Sequence, residues 1–216
     1  MFSVSLAISY VASSMESEQR IALPEAEFVG EMSVEEAINK RRSVREFSRD
    51  SLTLDDIAQL LWAAQGVTSE RGYRSAPSAG GLYPLELYVV AGNVDGLAPG
   101  VYRYRQTEHD LILVASGDHR RRLATAALNQ SWVRRAPAVL VIASVYKRTT
   151  GKYGQRGRRY AHMEAGHAAQ NIYLQATARG LGTVMVGAFD DSEVQRALGL
   201  PVDHEPLGLM PVGHKR

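Results

Sequence analysis

The sequence predicts a single domain of the α+β class, and three observations lead to this prediction. Amphipathic helical patterns and short apolar runs typical of strands intermix along the chain, with no linker between two halves. The chain has 216 residues, of which 45% are hydrophobic and 22% are charged, so it can bury one large core. It contains no internal repeat and no low-complexity tract. We therefore expect one domain over residues 21–216, preceded by an N-terminal arm over residues 1–20.

Two capping boxes predict the starts of the first two helices. Residues 33–36 ("SVEE") and 53–56 ("TLDD") each place a hydroxyl side chain three positions before an acidic one, ahead of a helical apolar stripe. Gly66 is expected to end the second helix. Residues 67–84 are rich in Gly, Ser and Pro, which predicts a long loop, and loops of this length are often functional.

The rest of the chain predicts the sheet and three more helices. Strand patterns occur over residues 85–92, 100–105, 110–116, 138–146, 183–189 and 207–213. The second and third of these strands are expected to form a hairpin. Helical patterns occur over residues 118–130, 160–179 and 191–199. The run "AVLVIASVY" is almost wholly apolar, which is typical of a strand that is buried on both faces.

Composition argues against several classes of protein. The chain has no cysteine, so disulfides, thiolate metal sites and cysteine nucleophiles are excluded. No run reaches the ~18 apolar residues that a membrane-spanning helix needs. The opening "MFSVSLAISYVASS" lacks the basic start of a secretion signal, since the first cation is Arg20, and we expect a cytoplasmic protein. The net charge of +2 argues against a nucleic-acid binder, and the basic residues form local clusters instead.

The first chemical candidate is the basic stretch "KRRSVREF", residues 40–47. Four cations stand within six residues, and their mutual repulsion calls for an anion or for carboxylates nearby. Arginine can direct two donors onto phosphate oxygens, and a serine hydroxyl adds another donor. The stretch therefore predicts either a phosphate site or a solvated helix end. No Walker motif and no G-x-G-x-x-G follows a strand here, so the phosphate is not held as in nucleoside triphosphatases or Rossmann enzymes.

The second candidate is the loop "SAPSAGGLYP", residues 75–84. Its adjacent glycines allow backbone amides to approach a flat ligand closely, and its two prolines stiffen the ends. The alternative is an ordinary turn before a strand.

Two further motifs are not supported as sites. In "HMEAGH", His162 and His167 are separated by about 140° around a helix, whereas zincin ligands sit four residues apart on one face. No metal site is therefore expected. A Ser–His–Asp triad is not supported either, because the chain has no G-x-S-x-G motif.

The third candidate is "TTGKYGQRGRRY", residues 149–160, which is glycine-rich, basic and aromatic. A lysine beside a tyrosine can transfer protons when burial or charge moves either pKa. A flexible basic loop is the alternative interpretation. An RNA-binding "RGRR" tract is a weaker one, because a single short tract has no stacking platform for bases.

Taken together, five segments resemble the nitroreductase superfamily of flavin enzymes, and within it the SagB-type (thiazole/oxazole dehydrogenase-like) branch. In order, the segments are "RRSVREF", "PSAGGLYPLELYVV", "KYGQRGRRYAHMEAGHAAQNIYLQATARGLG", "VMVGAFDD" and "PVGHKR". The resemblance covers roughly residues 20–216. It implies a mainly antiparallel central sheet flanked by helices, in an intertwined homodimer with two FMN molecules at the subunit interface.

The resemblance also implies roles for individual residues. The anion beside the basic stretch would be the FMN phosphate. Matching the family's motifs, the cofactor-binding candidates are Arg41, Arg42 (through its backbone), Ser43, Arg45, Pro77, Ser78, Ala79, Gly81, Gln130, Gly187, Ala188, Lys215 and Arg216. The loop candidates would cover the isoalloxazine from the partner subunit. Backbone N–H groups of the "VGAF" segment would face flavin N5 and stabilise the reduced flavin.

Lys152 and Tyr153 match a Lys–Tyr pair that helps remove a proton in peptide azoline dehydrogenases of this branch. Three functions follow from the resemblance. The first is an NAD(P)H-dependent reductase of nitro or quinone-type acceptors that works by ping-pong hydride transfer through flavin N5. The second is a dehydrogenase that oxidises azoline rings in a ribosomal peptide. The third is a flavin-binding module without catalysis. For the two enzymes the substrate would be a small molecule or a peptide, and no nucleic acid or membrane is expected as a partner.

Overall fold

The computed structural model describes residues 19–216, which form one seven-stranded sheet with helices on both faces. The strands are β1 (Arg20–Ala22), β2 (Leu85–Ala91), β3 (Gly100–Arg105), β4 (Asp110–Ser116), β5 (Ala138–Ser144), β6 (Leu181–Thr183) and β7 (Glu205–His214). The helices are α1 (Val34–Lys40), α2 (Leu54–Gln65), α3 (Arg120–Ala126), α4 (Ser131–Arg135), α5 (Lys147–Tyr153), α6 (Arg156–Ala178) and α7 (Asp191–Leu198).

The sheet has the order β1-β4-β3-β2-β5-β7-β6, and every neighbouring pair is antiparallel. Strands β2 and β5 lie at its centre, and every residue of both is buried. The α+β prediction and the mainly antiparallel sheet are therefore confirmed.

Two hydrophobic cores lie on opposite faces of the sheet. Alternate residues of β2 belong to one core or the other, because successive side chains of a strand point to opposite faces of the sheet. Leu87 and Val89 pack with α2 and α6, whereas Tyr88 and Val90 pack with α3, α4 and α7. No helix within residues 19–216 is long and apolar enough to cross a membrane.

The predicted helix starts are confirmed. Thr53 accepts a hydrogen bond from Asp56 N–H, and the Asp56 carboxylate accepts one from Thr53 N–H, which completes the capping box. Ser33 caps α1 through Glu36 N–H. Gly66 caps the end of α2, as expected. The predicted arm, residues 1–20, lies almost entirely outside the described residues, and its last residue, Arg20, begins β1.

Three sequence predictions about single elements are wrong. The helix expected over residues 118–130 is shorter: α3 covers only Arg120–Ala126, because Leu128 and Asn129 adopt left-handed backbone conformations (φ 55° and 59°) before α4 begins at Ser131. Residues 183–189 form no continuous strand: β6 ends at Thr183, and the Met185 N–H bonds to a tyrosine hydroxyl instead of a neighbouring strand. The interpretation of residues 149–160 as a flexible loop is also wrong, since α5 and the start of α6 occupy them.

Candidate functional site

The basic stretch, residues 40–47, leaves α1 and runs alongside the sheet edge formed by β6 and β7. Ser43 forms a parallel bridge with Thr183, and Val44 N–H donates to Thr183 O at 2.9 Å. Phe47 forms an antiparallel bridge with Lys215. This pairing fixes the position of Arg41, Ser43 and Arg45 relative to the ends of β6 and β7.

Tyr173 joins this stretch to the segment that follows β6. Its hydroxyl lies 3.1 Å from Ser43 Oγ and accepts a hydrogen bond from Met185 N–H at 2.7 Å. The Arg41 guanidinium lies over its ring at 5.1 Å. Sequence reasoning did not single out Tyr173, because one tyrosine in a long helix carries no motif and its partners are distant in the chain.

Replacing Tyr173 by phenylalanine is expected to lower the free energy of unfolding by about 1–2 kcal/mol, because the Met185 N–H then loses its acceptor. Urea unfolding followed by circular dichroism measures this. Tyr160→Phe is the matched control: it changes the same helix, and the Tyr160 hydroxyl forms no hydrogen bond within residues 19–216. If both variants lose equal stability, the Tyr173 hydroxyl does not join the two segments.

Arg45 and Gln130 reach the same region from the other side. The Arg45 guanidinium lies 5.7 Å from the centre of the Trp132 ring in α4. Gln130, which caps α4, donates from Nε2 to Ala188 O at 2.8 Å. Gly187 and Ala188 are exposed, and a Cβ added at Gly187 would meet no atom within 4 Å. The backbone at 187–188 is therefore open to a ligand.

The residues around the basic stretch form what we call the basic cluster. Its members are Arg41, Ser43, Arg45, Gln130, Trp132, Tyr173, Gly187, Ala188 and Lys215. Arg41 and Arg45 form no ion pair within residues 19–216. Trp132 Nε1 is buried without a hydrogen-bond partner there. Two unpaired guanidiniums and open backbone suit a ligand that is anionic at one end.

The contacts of two further predicted residues, Arg42 and Arg216, lie outside the basic cluster. The Arg42 guanidinium donates to Asn39 O at 2.9 Å and to Arg41 O at 2.7 Å, so it serves the end of α1. Arg216 N–H donates to Glu46 O at 3.4 Å, and Arg216 lines a cavity of about 870 Å³ with Arg49, Arg120 and Arg135.

The glycine loop, residues 75–84, lies directly against the Lys–Tyr pair. A Cβ added at Gly80 would stand 2.6 Å from Tyr153 Oη and 3.1 Å from Lys152 Nζ. The Lys152 ammonium lies 5.4 Å from the centre of the Tyr153 ring. Ser78 Oγ accepts a hydrogen bond from Tyr83 N–H at 2.9 Å, which closes the loop upon itself.

Gly80→Ala is expected to disturb Lys152 and Tyr153, and Gly81→Ala provides a matched control. Both glycines have left-handed backbones (φ 64° and 65°), so each alanine should cost about 1–2 kcal/mol of stability. Only the Gly80 variant adds a methyl group that collides with the tyrosine hydroxyl. We expect the near-ultraviolet circular dichroism of the tyrosines to change in Gly80→Ala alone. Equal spectra for the two variants would contradict the contact.

Behind the glycine loop lies a buried acid that sequence reasoning missed. Glu164 in α6 is 2% exposed. Gln65 Nε2 donates to its Oε1 at 3.3 Å, and Arg74 Nη1 donates to Gln65 Oε1 at 3.1 Å. Glu164 Oε2 is buried without a partner at ordinary hydrogen-bond length within residues 19–216. Burial raises the pKa of Glu164 to about 7, although the hydroxyl of Ser78, the Gln65 amide and the charge of Arg74 favour the ionised form.

The glycine-loop cluster therefore comprises residues 75–84 with Gln65, Lys152, Tyr153 and Glu164. Within residues 19–216, no hydrogen bond, ion pair or ring contact joins it to the basic cluster. The same part of the chain contains no group of three or more His, Asp or Glu residues that could hold a metal ion.

The family model of the nitroreductase family matches residues 38–214. This range contains nearly all of both clusters. An α+β domain with this match is an oxidoreductase by class, and the chain belongs to the nitroreductase family. It is 49% identical over 195 residues to MJ1384 of Methanocaldococcus jannaschii, which carries the name of a nitroreductase. That match covers 90% of this chain and 96% of the relative.

Further comparisons show the same fold and a partial similarity in sequence. A nitroreductase-like structure from Ralstonia eutropha superposes with a TM-score of 0.80 at 30% identity, covering 92% of this chain and 90% of that one. The NADPH:FMN oxidoreductase of Vibrio harveyi shares the fold (TM-score 0.61, 24% identity, 84% and 68% covered). The microcin B17-processing protein McbC of Escherichia coli is 30% identical over 132 residues, which span 59% of this chain and 48% of McbC.

Proposed function

We propose that the protein is an FMN-dependent oxidoreductase that takes electrons from NADH or NADPH and reduces nitro or quinone-type acceptors. The observation that carries this proposal is the basic cluster, in which Arg41 and Arg45 have no carboxylate partner in the described chain. Arg41 packs on Tyr173, whose hydroxyl accepts from Met185 N–H, two residues before the open backbone of 187–188. Arg45 lies over Trp132 in α4, the helix that begins next to Gln130, which donates to Ala188 O. A flavin with a phosphate at one end and a flat polar ring at the other suits this arrangement.

FMN fits the residues that are present. Arg41, Ser43 and Lys215 would hold the phosphate, because a guanidinium, a hydroxyl and an ammonium are its usual donors in proteins. Arg45 would contact the ribityl chain and Gln130 the pyrimidine edge. Arg42 would contribute only its backbone, since its guanidinium is engaged at the end of α1. Arg216 remains a candidate for the phosphate, although its side chain lines the neighbouring cavity.

Gly187 and Ala188 would face the reacting edge of the ring. Backbone N–H groups fixed by the fold stabilise negative charge without having to reorganise. Gln130 holds Ala188 O, so the orientation of the peptide is set by α4. FMN, when bound, would accept a hydride and return two electrons to the acceptor. The protein would hold the ring, stabilise its charge and shape the pocket.

The second half of the site would come from a partner subunit in a homodimer. Within one chain the glycine-loop cluster makes no polar contact with the basic cluster. Pro77, Ser78, Ala79 and Gly81 would therefore cover the flavin held by the other chain. A groove of about 470 Å³ between α1, α2 and α6 and the exposed side chains of Val34, Ile38 and Met163 support an interface there.

A second candidate function is oxidation of azoline rings in a ribosomal peptide. The specific observation in its favour is the position of Lys152 and Tyr153 against Gly80 of the glycine loop. In this reaction the pair would receive the proton that leaves the ring carbon while the hydride goes to the flavin. McbC, a microcin B17-processing protein by name, is among the relatives.

The test is a visible absorption spectrum of the purified protein before and after anaerobic addition of NADH or NADPH. Flavin bands that bleach rapidly support the reductase. Bands that persist with either nucleotide favour the dehydrogenase or a flavin-binding module. An absence of flavin bands after added FMN would reject all three.

Lys152→Ala then separates the two enzymes. Loss of peptide oxidation with full flavin content supports the dehydrogenase. Unchanged reduction of a quinone with full flavin content supports the reductase, in which Lys152 has no proton to remove. If the unmodified protein binds FMN but shows no turnover with any donor, both enzyme functions are rejected and the flavin-binding module remains.

A further inference from the structure

We propose that the cavity lined by Arg49, Arg120, Arg135 and Arg216 is a second anion site, which binds a phosphorylated small molecule while FMN occupies the basic cluster. We call it the arginine cavity. Its volume is about 870 Å³, within the usual range of small-molecule sites. The remaining lining residues are Glu46, Phe47, Ser48, Asn93 and Pro137.

Four separate parts of the chain supply the arginines. Arg49 follows the basic stretch, Arg120 begins α3, Arg135 ends α4, and Arg216 follows β7. On a solvated helix face, clustered basic residues are close together in the sequence. Here they come from distant positions, so the cluster is a product of the fold. The fold itself brings the four guanidiniums to one opening.

Backbone contacts hold these residues in place. Asn93 Nδ2 donates to Arg49 O at 3.2 Å, and Arg120 Nη1 donates to Ala136 O at 2.8 Å. A Cβ added at Gly92 would lie 1.8 Å from Arg120 Nε, so the Arg120 side chain packs directly on that glycine. The site is therefore built into the ends of β2 and β5.

The cavity carries an uncompensated positive charge. Arg120 pairs with Asp118 at 2.6 Å, and Glu46 is the one side-chain carboxylate among the lining residues. Arg49, Arg135 and Arg216 form no ion pair within residues 19–216. Like charges that line one cavity repel one another, and an anion with two or more charges relieves that repulsion. Phosphate groups suit it because guanidinium donates two parallel hydrogen bonds to their oxygens.

The walls of the cavity indicate the rest of the ligand. Phe47 and Pro137 supply apolar surface beside the arginines. A flat ring attached to a phosphate, as in a nucleotide, would cover that surface. The cavity volume suits a molecule of this size, whereas a bare phosphate would leave most of it filled with water.

The arginine cavity is distinct from the proposed flavin site. Arg41, Ser43, Arg45 and the open backbone at 187–188 are all absent from its lining. The Arg41 and Arg45 guanidiniums lie over Tyr173 and Trp132, which are not lining residues either. Only Arg216 is shared with the candidates for the FMN phosphate. The inference rests on the proposed function only in that FMN is expected to occupy the basic cluster while the arginine cavity binds its own ligand.

The experiment is a calorimetric titration of the FMN-loaded protein with ADP and, separately, with inorganic pyrophosphate. We expect one equivalent of ADP to bind per chain while the flavin spectrum stays that of bound FMN. In the double variant Arg49→Gln/Arg135→Gln, binding should weaken at least about 30-fold, since two charge-assisted contacts are lost. The control, Arg121→Gln/Arg122→Gln, removes the same charge from the exposed side of α3 and should change binding less than about 3-fold.

Several results would overturn the proposal. One is that neither probe binds the FMN-loaded protein. Another is that Arg121→Gln/Arg122→Gln weakens ADP binding as much as Arg49→Gln/Arg135→Gln does, because the loss would then come from the overall positive charge and not from contacts in the cavity. A third is ADP binding to apoprotein that FMN abolishes, because the cavity would then belong to the flavin site. If pyrophosphate binds as tightly as ADP, the site recognises the phosphates alone. If ADP binds more tightly, the adenosine part also contacts the protein, as expected from Phe47 and Pro137.

Discussion

Glu164→Gln is expected to stabilise the protein by about 3 kcal/mol at pH 9 and by less than about 1 kcal/mol at pH 5. The reason is the burial of Glu164, which raises its pKa from 4.5 to about 7. Glutamine resembles the protonated acid in shape and never ionises, so it removes the cost of a buried negative charge. It retains an oxygen and an amide for Gln65 and Ser78.

The sign follows from the protons bound in each state. Between pH 4.5 and about 7 the folded protein holds a proton on Glu164 that the unfolded chain has released. Unfolding then releases a proton, so the free energy of unfolding falls as the pH rises through this window and is level above it. The opposing groups are the Arg74 charge, the Gln65 amide and the Ser78 hydroxyl, all of which favour the ionised form.

Urea unfolding at pH 5, 6, 7, 8 and 9 measures the difference between Glu164→Gln and the unmodified protein. Glu70→Gln is the matched control, because Glu70 is exposed and forms no ion pair within residues 19–216. Its effect should stay within about 0.5 kcal/mol at every pH. A stability difference for Glu164→Gln that does not change with pH, or a loss of stability at pH 9, would contradict the buried ionisable acid.

Arg41→Ala or Arg45→Ala is expected to weaken FMN binding by about 1.5–3 kcal/mol, or roughly 10- to 150-fold in the dissociation constant. Each guanidinium would otherwise donate charge-assisted hydrogen bonds to the cofactor. Neither has a carboxylate partner in the described chain, so its removal leaves no opposite charge unpaired in the protein. The loss should therefore appear in FMN affinity more than in stability.

Titration of apoprotein with FMN, followed by quenching of flavin fluorescence, gives the dissociation constant. Riboflavin is an internal control because it is FMN without the phosphate. Its affinity should change less than that of FMN in Arg41→Ala. Arg122→Ala, an exposed cation on α3, is the protein control and should bind FMN normally. Unchanged FMN affinity in both Arg41→Ala and Arg45→Ala would remove the phosphate assignment.

Local patterns predicted most of the elements, and long-range contacts explain the errors. The capping boxes at residues 33–36 and 53–56 contain their own partners, so sequence spacing is enough to find them. The strand expected over 183–189 fails because a hydroxyl from α6 takes the Met185 N–H. No spacing rule within 183–189 carries that information.

In the candidate site, too, residues in local motifs could be predicted, and residues defined by long-range contacts could not. Arg41, Ser43 and Gly80 belong to short motifs that the sequence singles out, and each contacts a residue distant in the chain. Tyr173 and Glu164 escaped notice because their importance comes from partners far away in the chain. The one available signal was a glutamate among the small residues of a predicted helix, where Ala161, Ala165 and Ala168 indicate close packing. An ionisable side chain rarely occupies a core position without a partner.

Helix α6 carries Glu164 behind the glycine loop and Tyr173 beside the basic stretch, nine positions apart. An α-helix rises 1.5 Å per residue, so roughly 14 Å of rigid backbone separates them. Adding or deleting one residue between them would rotate one cluster by about 100° relative to the other. Length variation among relatives should therefore be absent from residues 164–173 and accumulate in surface turns such as residues 106–109, and an alignment of homologues can be checked for this.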